Sequence, residues 1–358
     1  MTDLNFDLLK SLCETPGIPS REEAMRKLVA QELKPLVDSL ETDAMGNLIG
    51  FRKGSSDGPR VMLAAHMDEI GFIVKYIDNK GFLRLQPVGG WDPRNLVSQR
   101  VYVHGYKGET IQGVLMPANK PTHLLTPEES VKAPTIEGLF VDLGLPQEKV
   151  KAQVELGDMV TMNRTCERMG DMVVSKTLDD RLMVFVMIEA LKLLKGKSLK
   201  CNVIAVATTQ EEVGLRGATP AAYALQPDIG VALDVTIAAD YAGATESEQV
   251  TTLGGGAAIK IMDSSHISHP KLVRHFREVA ERNKISHQLE ILPRGGTDAG
   301  GIQRSRAGVP SITLSVPVRY VHTVNEMANV ADINAAIQLL ADYLKDAHSG
   351  SYGYQNEL

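Results

Sequence analysis

The stretch VIAVATTQEEVGLRGA, residues 203–218, joins an apolar run to two adjacent carboxylates. The run 203–209 is rich in β-branched and small residues, which is typical of a strand buried on both faces of a parallel sheet. Glu211 and Glu212 follow its carboxyl end, where open α/β sheets bind their ligands. Neighbouring side chains of an extended chain point to opposite sides, so one glutamate is able to face a metal and the other a water or a substrate. A solvated acidic loop is the alternative interpretation.

Strand and helix patterns alternate on either side of this stretch. Apolar runs predict further strands over 61–65, 228–234, 288–292 and 310–315, and amphipathic patterns predict helices over 182–194, 218–225, 270–282 and 332–346. Near the N-terminus, Ser20 and Glu23 have the spacing of a capping box before another helix, and 36–52 has the pattern of a hairpin. The alternation predicts an α/β fold in which helices cover both faces of the sheet.

The segment 70–165 has a different character. It consists of short alternating segments separated by turns, such as DNKG at 78–81, without a long amphipathic helix. We therefore predict a β-rich domain at 70–165 that is inserted into an α/β domain made of 1–69 and 166–358.

Composition excludes several classes of partner. The 358 residues carry a net charge of −6 and no basic block, which argues against nucleic acid or an anionic membrane as a partner. No apolar run approaches the roughly 18 residues of a membrane span. The acidic start MTDLNFDLLK is unlike a signal peptide, and three cysteines without paired spacing fit a reducing compartment. We expect a cytoplasmic protein.

Side chains that are able to bind metals stand at or just after strand ends or in turns, at five places. These are His66 with Asp68, Asp179 with Asp180, Glu211 with Glu212, Asp234, and His322. Nitrogen and oxygen ligands of this kind suit zinc, cobalt or manganese better than calcium. Two histidines and three acids, one of them bridging, are enough for two metal ions that share a water.

The spacing of His66 and Asp68 has its own consequence. Residues two apart in extended chain lie on the same side, so Asp68 is able to accept the second ring N–H of His66 and fix its tautomer. Taken alone, a histidine at a strand end is more often structural, and two aspartates before a helix more often form an N-cap. Five such places at one sheet edge favour a metal site.

The motifs AHMDEIGF, KTLDDR, QEEVGLRGA, LDVT, GGTDAGG and RYVHT, with VGGW in the β-rich segment, follow one another along the chain. With this combination the sequence resembles the tetrahedral (TET-type) dinuclear metallo-aminopeptidases, a family whose members also carry the name endoglucanase. The likeness covers essentially the whole chain. It implies a mixed sheet of the zinc-exopeptidase type, in which the inserted domain is a small β-barrel or PDZ-like unit that forms dimers.

The resemblance also implies a role for each candidate residue. Two residues would hold one metal ion (His66 and Asp234), two would hold the other (Glu212 and His322), and Asp179 would bridge both. The resemblance favours Asp179 over Asp180 because the first acid of the family's motif is the invariant one, and in related enzymes the peptide after it is cis. Glu211 would be the general base, and Asp68 would orient a ligand.

These assignments predict an aminopeptidase. Glu211 would deprotonate a water shared by two metal ions, zinc or cobalt by preference, and would later protonate the leaving amine. The expected substrates are peptides with a free N-terminus. The expected assembly is a hollow tetrahedral dodecamer built from dimers.

Three other functions compete with this prediction. A carboxypeptidase- or deacylase-like dinuclear hydrolase of the same fold would need a cation for a substrate carboxylate, such as Arg216 or Arg319. A glucanase would need two carboxylates beside a sugar, and no histidine or metal. A scaffold protein would have no need to bury acids and imidazoles together. Lys260, Arg319 and Tyr320 are also candidates for the wall of a substrate pocket.

Overall fold

The computed structural model describes residues 4–55, 57–118, 120 and 122–354, without the side chains of Thr122, Glu129 and Ser130. Its helices are α1 (Phe6–Glu14), α2 (Glu23–Leu33), α3 (Pro127–Ser130), α4 (Gln147–Gln153), α5 (Leu178–Leu193), α6 (Ala218–Leu225), α7 (Pro270–Asn283), α8 (Asp298–Gln303) and α9 (Val330–Asp346). Among these described residues, no helix combines the length and the apolar character that crossing a membrane requires.

The strands, in chain order, are β1 (Ser39–Thr42), β2 (Leu48–Arg52), β3 (Arg60–His66), β4 (Gly71–Ile77), β5 (Leu83–Val88), β6 (Gln99–His104), β7 (Thr110–Pro117), β8 (Leu139–Asp142), β9 (Met159–Met162), β10 (Glu167–Met169), β11 (Met172–Ser175), β12 (Asn202–Thr208), β13 (Ile229–Ile237), β14 (Ala257–Met262), β15 (His287–Ile291), β16 (Ser311–Arg319) and β17 (Glu326–Asn329). Within the described chain, eleven of them form one mixed sheet in the order β1-β2-β12-β3-β13-β16-β17-β11-β10, and β14 pairs with β15 and β16. At its centre β12, β3, β13 and β16 are parallel neighbours.

The central strands send alternate side chains to two cores. Along β3, Val61 and Leu63 join the large core with residues of α1, α2, α5, α7 and α9, whereas Met62 and Ala64 join a smaller core with residues of α6 and α8. Both faces of the sheet are therefore covered, and apolar runs without polar alternation are the expected sequence of such strands. The predicted fold class is confirmed.

The strands β4 to β9 form a separate closed barrel in the order β4-β5-β8-β7-β6-β9. Its core contains Phe72, Val101 and Val160, and the ring of Trp91 stacks on Phe72 with 5.3 Å between centroids. All the barrel strands lie inside the segment 70–165 that the sequence marked as β-rich. The division into two domains and the role of the barrel in dimers stay predictions.

The start of α2 differs from the predicted capping box. Ser20 has a positive φ of 71°, and the helix begins at Glu23 without a side-chain cap. Glu22 is buried instead, and its Oε1 accepts the main-chain N–H groups of Ser20 and Gln210. The capping-box prediction is wrong because this backbone is shaped by a contact with residue 210, which the local sequence does not reveal. The predicted hairpin is confirmed by the antiparallel pair β1 and β2.

Candidate active site

The candidate residues converge at one edge of the sheet. The carboxyl ends of β3, β12, β13 and β16 lie side by side because these strands are parallel neighbours. Each strand brings a candidate to this edge, and the start of α5 brings another: His66, Glu211 with Glu212, Asp234, His322 and Asp179. Such an edge is the usual ligand site of a parallel sheet.

Asp179 lies between the two imidazoles. Its Oδ1 is 3.1 Å from His66 Nε2, and its Oδ2 is 3.4 Å from His322 Nε2. The same His322 Nε2 is also 3.4 Å from Glu212 Oε2. One carboxylate thus has one oxygen turned toward each histidine, which is the arrangement of a bridging ligand.

Two groups of ligand atoms follow from this arrangement. Each group has its atoms within 4.8 Å of one another: His66, Asp179, Asp180 and Asp234 in the first, and Asp179, Glu212 and His322 in the second. Asp180 Oδ1 and Glu212 Oε1 are buried and have no hydrogen-bond partner among the described residues. Because buried polar atoms are normally satisfied, these oxygens are suited to an ion.

The backbone at the start of α5 is irregular. Thr177 is left-handed, Asp179 (φ −79°, ψ 104°) and Asp180 (φ −120°, ψ 23°) are not helical, and the peptide between the two aspartates is cis. The Asp179 N–H therefore has no place in the helical ladder, and it donates to Glu326 Oε2 at 3.0 Å. Asp180 turns back toward β3, where its Oδ2 accepts the main-chain N–H of His66 at 3.1 Å.

The loop that carries the two glutamates is bound through its main chain. Four consecutive N–H groups donate to buried side chains: Thr209 to Asn47 at 2.9 Å, Gln210 to Glu22 at 3.2 Å, Glu211 to Asp68 at 3.0 Å, and Glu212 to Asp68 at 3.1 Å. Gly217 closes the loop, and a Cβ there would lie 2.4 Å from both Asn47 Oδ1 and the carbonyl oxygen of Thr209. Residues from three distant segments thus fix where the glutamates point.

Asp68 orients His66 mainly through its backbone. The Nδ1 of His66 is 3.0 Å from the main-chain carbonyl oxygen of Asp68 and 3.6 Å from its Oδ1. A ring N–H that donates to this carbonyl leaves Nε2 as the nitrogen that faces Asp179. The carboxylate itself binds the N–H groups of Glu211 and Glu212, so Asp68 links the first histidine to the glutamate loop.

The pKa shifts show that negative charge is crowded here. Burial raises the pKa values of Glu211 and Asp234 well above those of an ordinary glutamate and aspartate, and neighbouring carboxylates raise them further. Burial also opposes the charge of Asp179, but contacts with His322 and His66 hold its pKa below the usual range. Burial lowers the pKa of His322, yet Asp179 and Glu212 raise it to about 12.

A cavity of about 570 Å³ opens onto these groups. Apart from the site residues, its wall contains five apolar side chains, three glycines, two threonines and an arginine. In that order they are Leu215, Val235, Ile237, Leu292, Val321, Gly214, Gly295, Gly296, Thr236, Thr297 and Arg294. The cavity is large enough for an amino-acid side chain and the start of a peptide.

Three residues predicted for the pocket wall are not among those that line this cavity. Lys260 is buried and forms an ion pair with Glu290. Arg319 binds Asp240, with 2.8 Å between Nη2 and Oδ2, and the side chain of Tyr320 is 48% exposed. None of these three side chains lines the cavity, so a suitable residue type near a motif did not predict the residues of the cavity wall.

Sequence reasoning missed several residues that the structure brings to the site. Glu326 and Glu22 bind main-chain N–H groups of site segments, Arg294 lines the cavity, and Asp298 accepts from Thr208 Oγ1 at 2.5 Å. Asp298 lies in the GGTDAGG motif, which was a usable signal. The others stand in stretches without any metal-site pattern.

Comparison with known proteins gives concordant matches. A family model described as M42 glutamyl aminopeptidase matches residues 46–339. The chain is 35% identical to lysyl aminopeptidase of Pyrococcus furiosus over 352 residues, 96% of this chain and 97% of the relative. Aminopeptidase APDkam598 from Desulfurococcus kamchatkensis has a TM-score of 0.91 and 37% identity over 97% of this chain and 98% of its own. The Pyrococcus horikoshii TET1 peptidase, which can assemble into a tetrahedron or a large octahedral shell, has a TM-score of 0.84 and 32% identity over 94% and 98%.

Proposed function

The chain belongs to the M42 aminopeptidase family, and we propose that it removes N-terminal residues from peptides with two divalent cations and Glu211 as general base. As a member of this family it is a peptide-bond hydrolase, so the resemblance stated from the motifs is confirmed. The observation that carries the proposal is the position of Asp179, whose two oxygens face His66 and His322.

The donor atoms fit a pair of divalent cations. His66 and Asp234 would hold one ion, Glu212 and His322 the other, and Asp179 would bridge them, in agreement with the two groups of ligand atoms. Imidazole and carboxylate ligands suit zinc or cobalt. When bound, such a pair supplies Lewis acidity that acidifies a water and polarises the scissile carbonyl.

Glu211 is the residue that we assign to proton transfer. It lines the cavity and belongs to neither group of ligand atoms, and its Oε2 lies 3.9 Å from His66 Nε2. Its carboxylate is therefore placed to take the proton of the attacking water and to return it to the leaving amine. Asp68, which binds the N–H groups of Glu211 and Glu212, keeps this carboxylate in position.

The cavity suggests how a peptide would lie. Its acidic end attracts a free α-amine, and the apolar wall at Leu215, Val235 and Leu292 suits the side chain of the N-terminal residue. A chain extending out of the cavity would place its first peptide bond beside Glu211. The substrate class is accordingly peptides with a free N-terminus.

Assembly of several copies is the second part of the proposal. The TET1 relative can assemble into a tetrahedron or a large octahedral shell, and a matching TET1 structure is a dodecamer. We propose that the barrel β4–β9 mediates dimers and that the dimers form a tetrahedral dodecamer. A cytoplasmic location goes with this proposal, and the three cysteines are all buried and free.

The alternative is a carboxypeptidase- or deacylase-like hydrolase of the same fold. It would grip a substrate carboxylate with a cation, and Arg294 is the arginine on the cavity wall. Such an enzyme has no requirement for a free α-amine. The two functions therefore differ in their response to a blocked N-terminus.

The test uses metal-stripped full-length protein reloaded with zinc, cobalt or manganese. We expect two ions per chain, cleavage of unblocked aminoacyl chromogens and peptides, and no cleavage of their N-acetylated twins. Equal cleavage of the blocked twins would establish the alternative hydrolase. Absence of cleavage with every divalent ion would refute the proposal.

A further inference from the structure

Glu326 binds two separate segments of the candidate site through its two oxygens. Its Oε2 accepts the main-chain N–H of Asp179 at 3.0 Å, and its Oε1 accepts the main-chain N–H of His322 at 2.8 Å. The side chain is 2% exposed, lies at the start of β17, and is not among the residues that line the large cavity.

Neither N–H group has a partner in regular secondary structure. Asp179 stands in the non-helical first turn of α5, and His322 has a positive φ of 63° in the turn between β16 and β17. Irregular backbone of this kind is not held by a hydrogen-bond ladder, so its position depends on individual contacts. A single rigid carboxylate that binds both segments fixes their separation.

That separation matters because the two side chains face each other. Asp179 Oδ2 and His322 Nε2 are 3.4 Å apart, and both belong to the second group of ligand atoms. The first group contains Asp179 but not His322. A change at Glu326 therefore acts on two of the three ligands of the second group and on one of the four of the first.

We propose that Glu326 is a positioning residue, which sets the distance between Asp179 and His322 and thereby the metal affinity of the group formed by Asp179, Glu212 and His322. It acts through these two residues without touching substrate. The inference rests on the proposed two-metal function and adds to it a residue outside the ligand set.

An amide substitution separates positioning from packing. Glu326→Gln keeps the size of the side chain, but its NH₂ group must face one of the two N–H donors, because a carboxamide offers only one acceptor oxygen. Asp332 provides a matched control: it is buried, and its Oδ2 and Oδ1 accept the N–H groups of Gly254 and Gly256, each at 2.7 Å. Asp332→Asn makes the same chemical change away from the ligand groups.

The experiment titrates cobalt into metal-stripped wild type, Glu326→Gln and Asp332→Asn, by calorimetry and by the absorption of bound cobalt. We expect one of the two binding events in Glu326→Gln to weaken by about 10- to 100-fold, the usual effect of losing a partner that orients a ligand. The other event should weaken less, and kcat should fall while KM stays within about twofold. Asp332→Asn should lose thermal stability but bind cobalt as wild type does.

Equal cobalt affinities in Glu326→Gln and wild type would overturn the inference, as would an equal loss in Asp332→Asn. If Glu326→Gln does not fold, Glu326→Asp decides: its shorter carboxylate reaches fewer donors, so the same asymmetric weakening is expected, and unchanged affinities would again overturn the inference. Failure of the proposed function has a different signature, because then the wild type itself would not bind two ions.

Discussion

Among the acids that the structure shields from solvent, two groups differ in how their charge is compensated. The site acids face the imidazoles of His66 and His322: Asp179, Asp180, Glu211, Glu212 and Asp234. The paired acids have a dedicated basic partner nearby: Glu69 with Lys176, Glu290 with Lys260, and Asp263 with His266. Each paired acid has a lysine or histidine of the same chain within ion-pair distance, whereas five carboxylates against two imidazoles leave an excess of negative charge at the site.

This difference teaches what each population is for. Burying a carboxylate without a cation is costly, and the raised pKa values of Glu211 and Asp234 are the signature of that cost. The paired acids hold segments of the fold together. Under the proposed function, divalent cations from solution would compensate the site acids, which is the expected property of a metal centre.

The largest expected effect is a loss of kcat in a variant that removes the proposed base and keeps the proposed metal ligands. Glu211→Gln removes the proposed proton acceptor, so kcat should fall by a factor of about 10² to 10⁴, the range that positioned general bases supply. Because Glu211 belongs to neither group of ligand atoms, the variant should still bind two ions per chain. Steady-state kinetics and metal analysis of the same preparation measure both quantities.

The adjacent Glu212→Gln is the matched control for that experiment. It removes a ligand of the second group, so it should bind fewer ions or bind them more weakly. A Glu211→Gln enzyme that loses metal, beside a Glu212→Gln enzyme that retains it, would mean that the two glutamates have exchanged roles.

The next largest effect should come from unpairing one of the paired acids. Lys260 and Glu290 are both fully buried, so Lys260→Met leaves a carboxylate in the core without its cation. Breaking a buried ion pair from one side typically costs about 3 to 5 kcal/mol of the free energy of unfolding. Chemical denaturation of wild type and variant measures the loss.

The double variant Lys260→Met/Glu290→Leu sharpens this result, since replacing both partners by apolar groups is often neutral or stabilising. We expect it to recover most of the lost stability. The loss in the single variant should be of similar size with and without divalent cations, because Glu290 belongs to neither ligand group. If added divalent cations restored the full stability of Lys260→Met, the proposed difference between the site acids and the paired acids would be contradicted.

The sequence predicted which residues meet at the candidate site because their meeting depends on strand direction. His66, Asp234 and the glutamate pair each follow or end an apolar run, and parallel strands bring such positions to one edge. The order of the motifs then identified the family. Elements with weak patterns were missed, among them α1, β14 and the short helix α8, which begins within GGTDAGG.

The positioning contacts were not predictable in the same way. Glu326 and Glu22 act through their carboxylates on main-chain N–H groups 147 and 188 residues away. Because nearly every residue has a backbone N–H, the identity of the donor residue does not indicate that it binds a distant carboxylate. Such contacts follow only from the irregular conformation of the loops, which itself depends on the assembled sheet.

The smallest expected effect concerns the pH dependence of a paired acid. Asp263 is buried, which by itself raises a carboxyl pKa, but its contact with His266 and hydrogen bonds from Ser265 lower the pKa to about 2 from an ordinary 3.8. A depressed pKa contributes stability that is fully present above the unfolded value and is lost as the pH falls toward the folded value. Between pH 5 and pH 3, Asp263 should therefore lose about 1 kcal/mol of its contribution. Asp263→Asn lacks this titration, so in metal-free protein the gap in unfolding free energy between wild type and variant should narrow by that amount. A gap that stays constant or widens toward pH 3 would show that the charge of Asp263 is not what its partners stabilise.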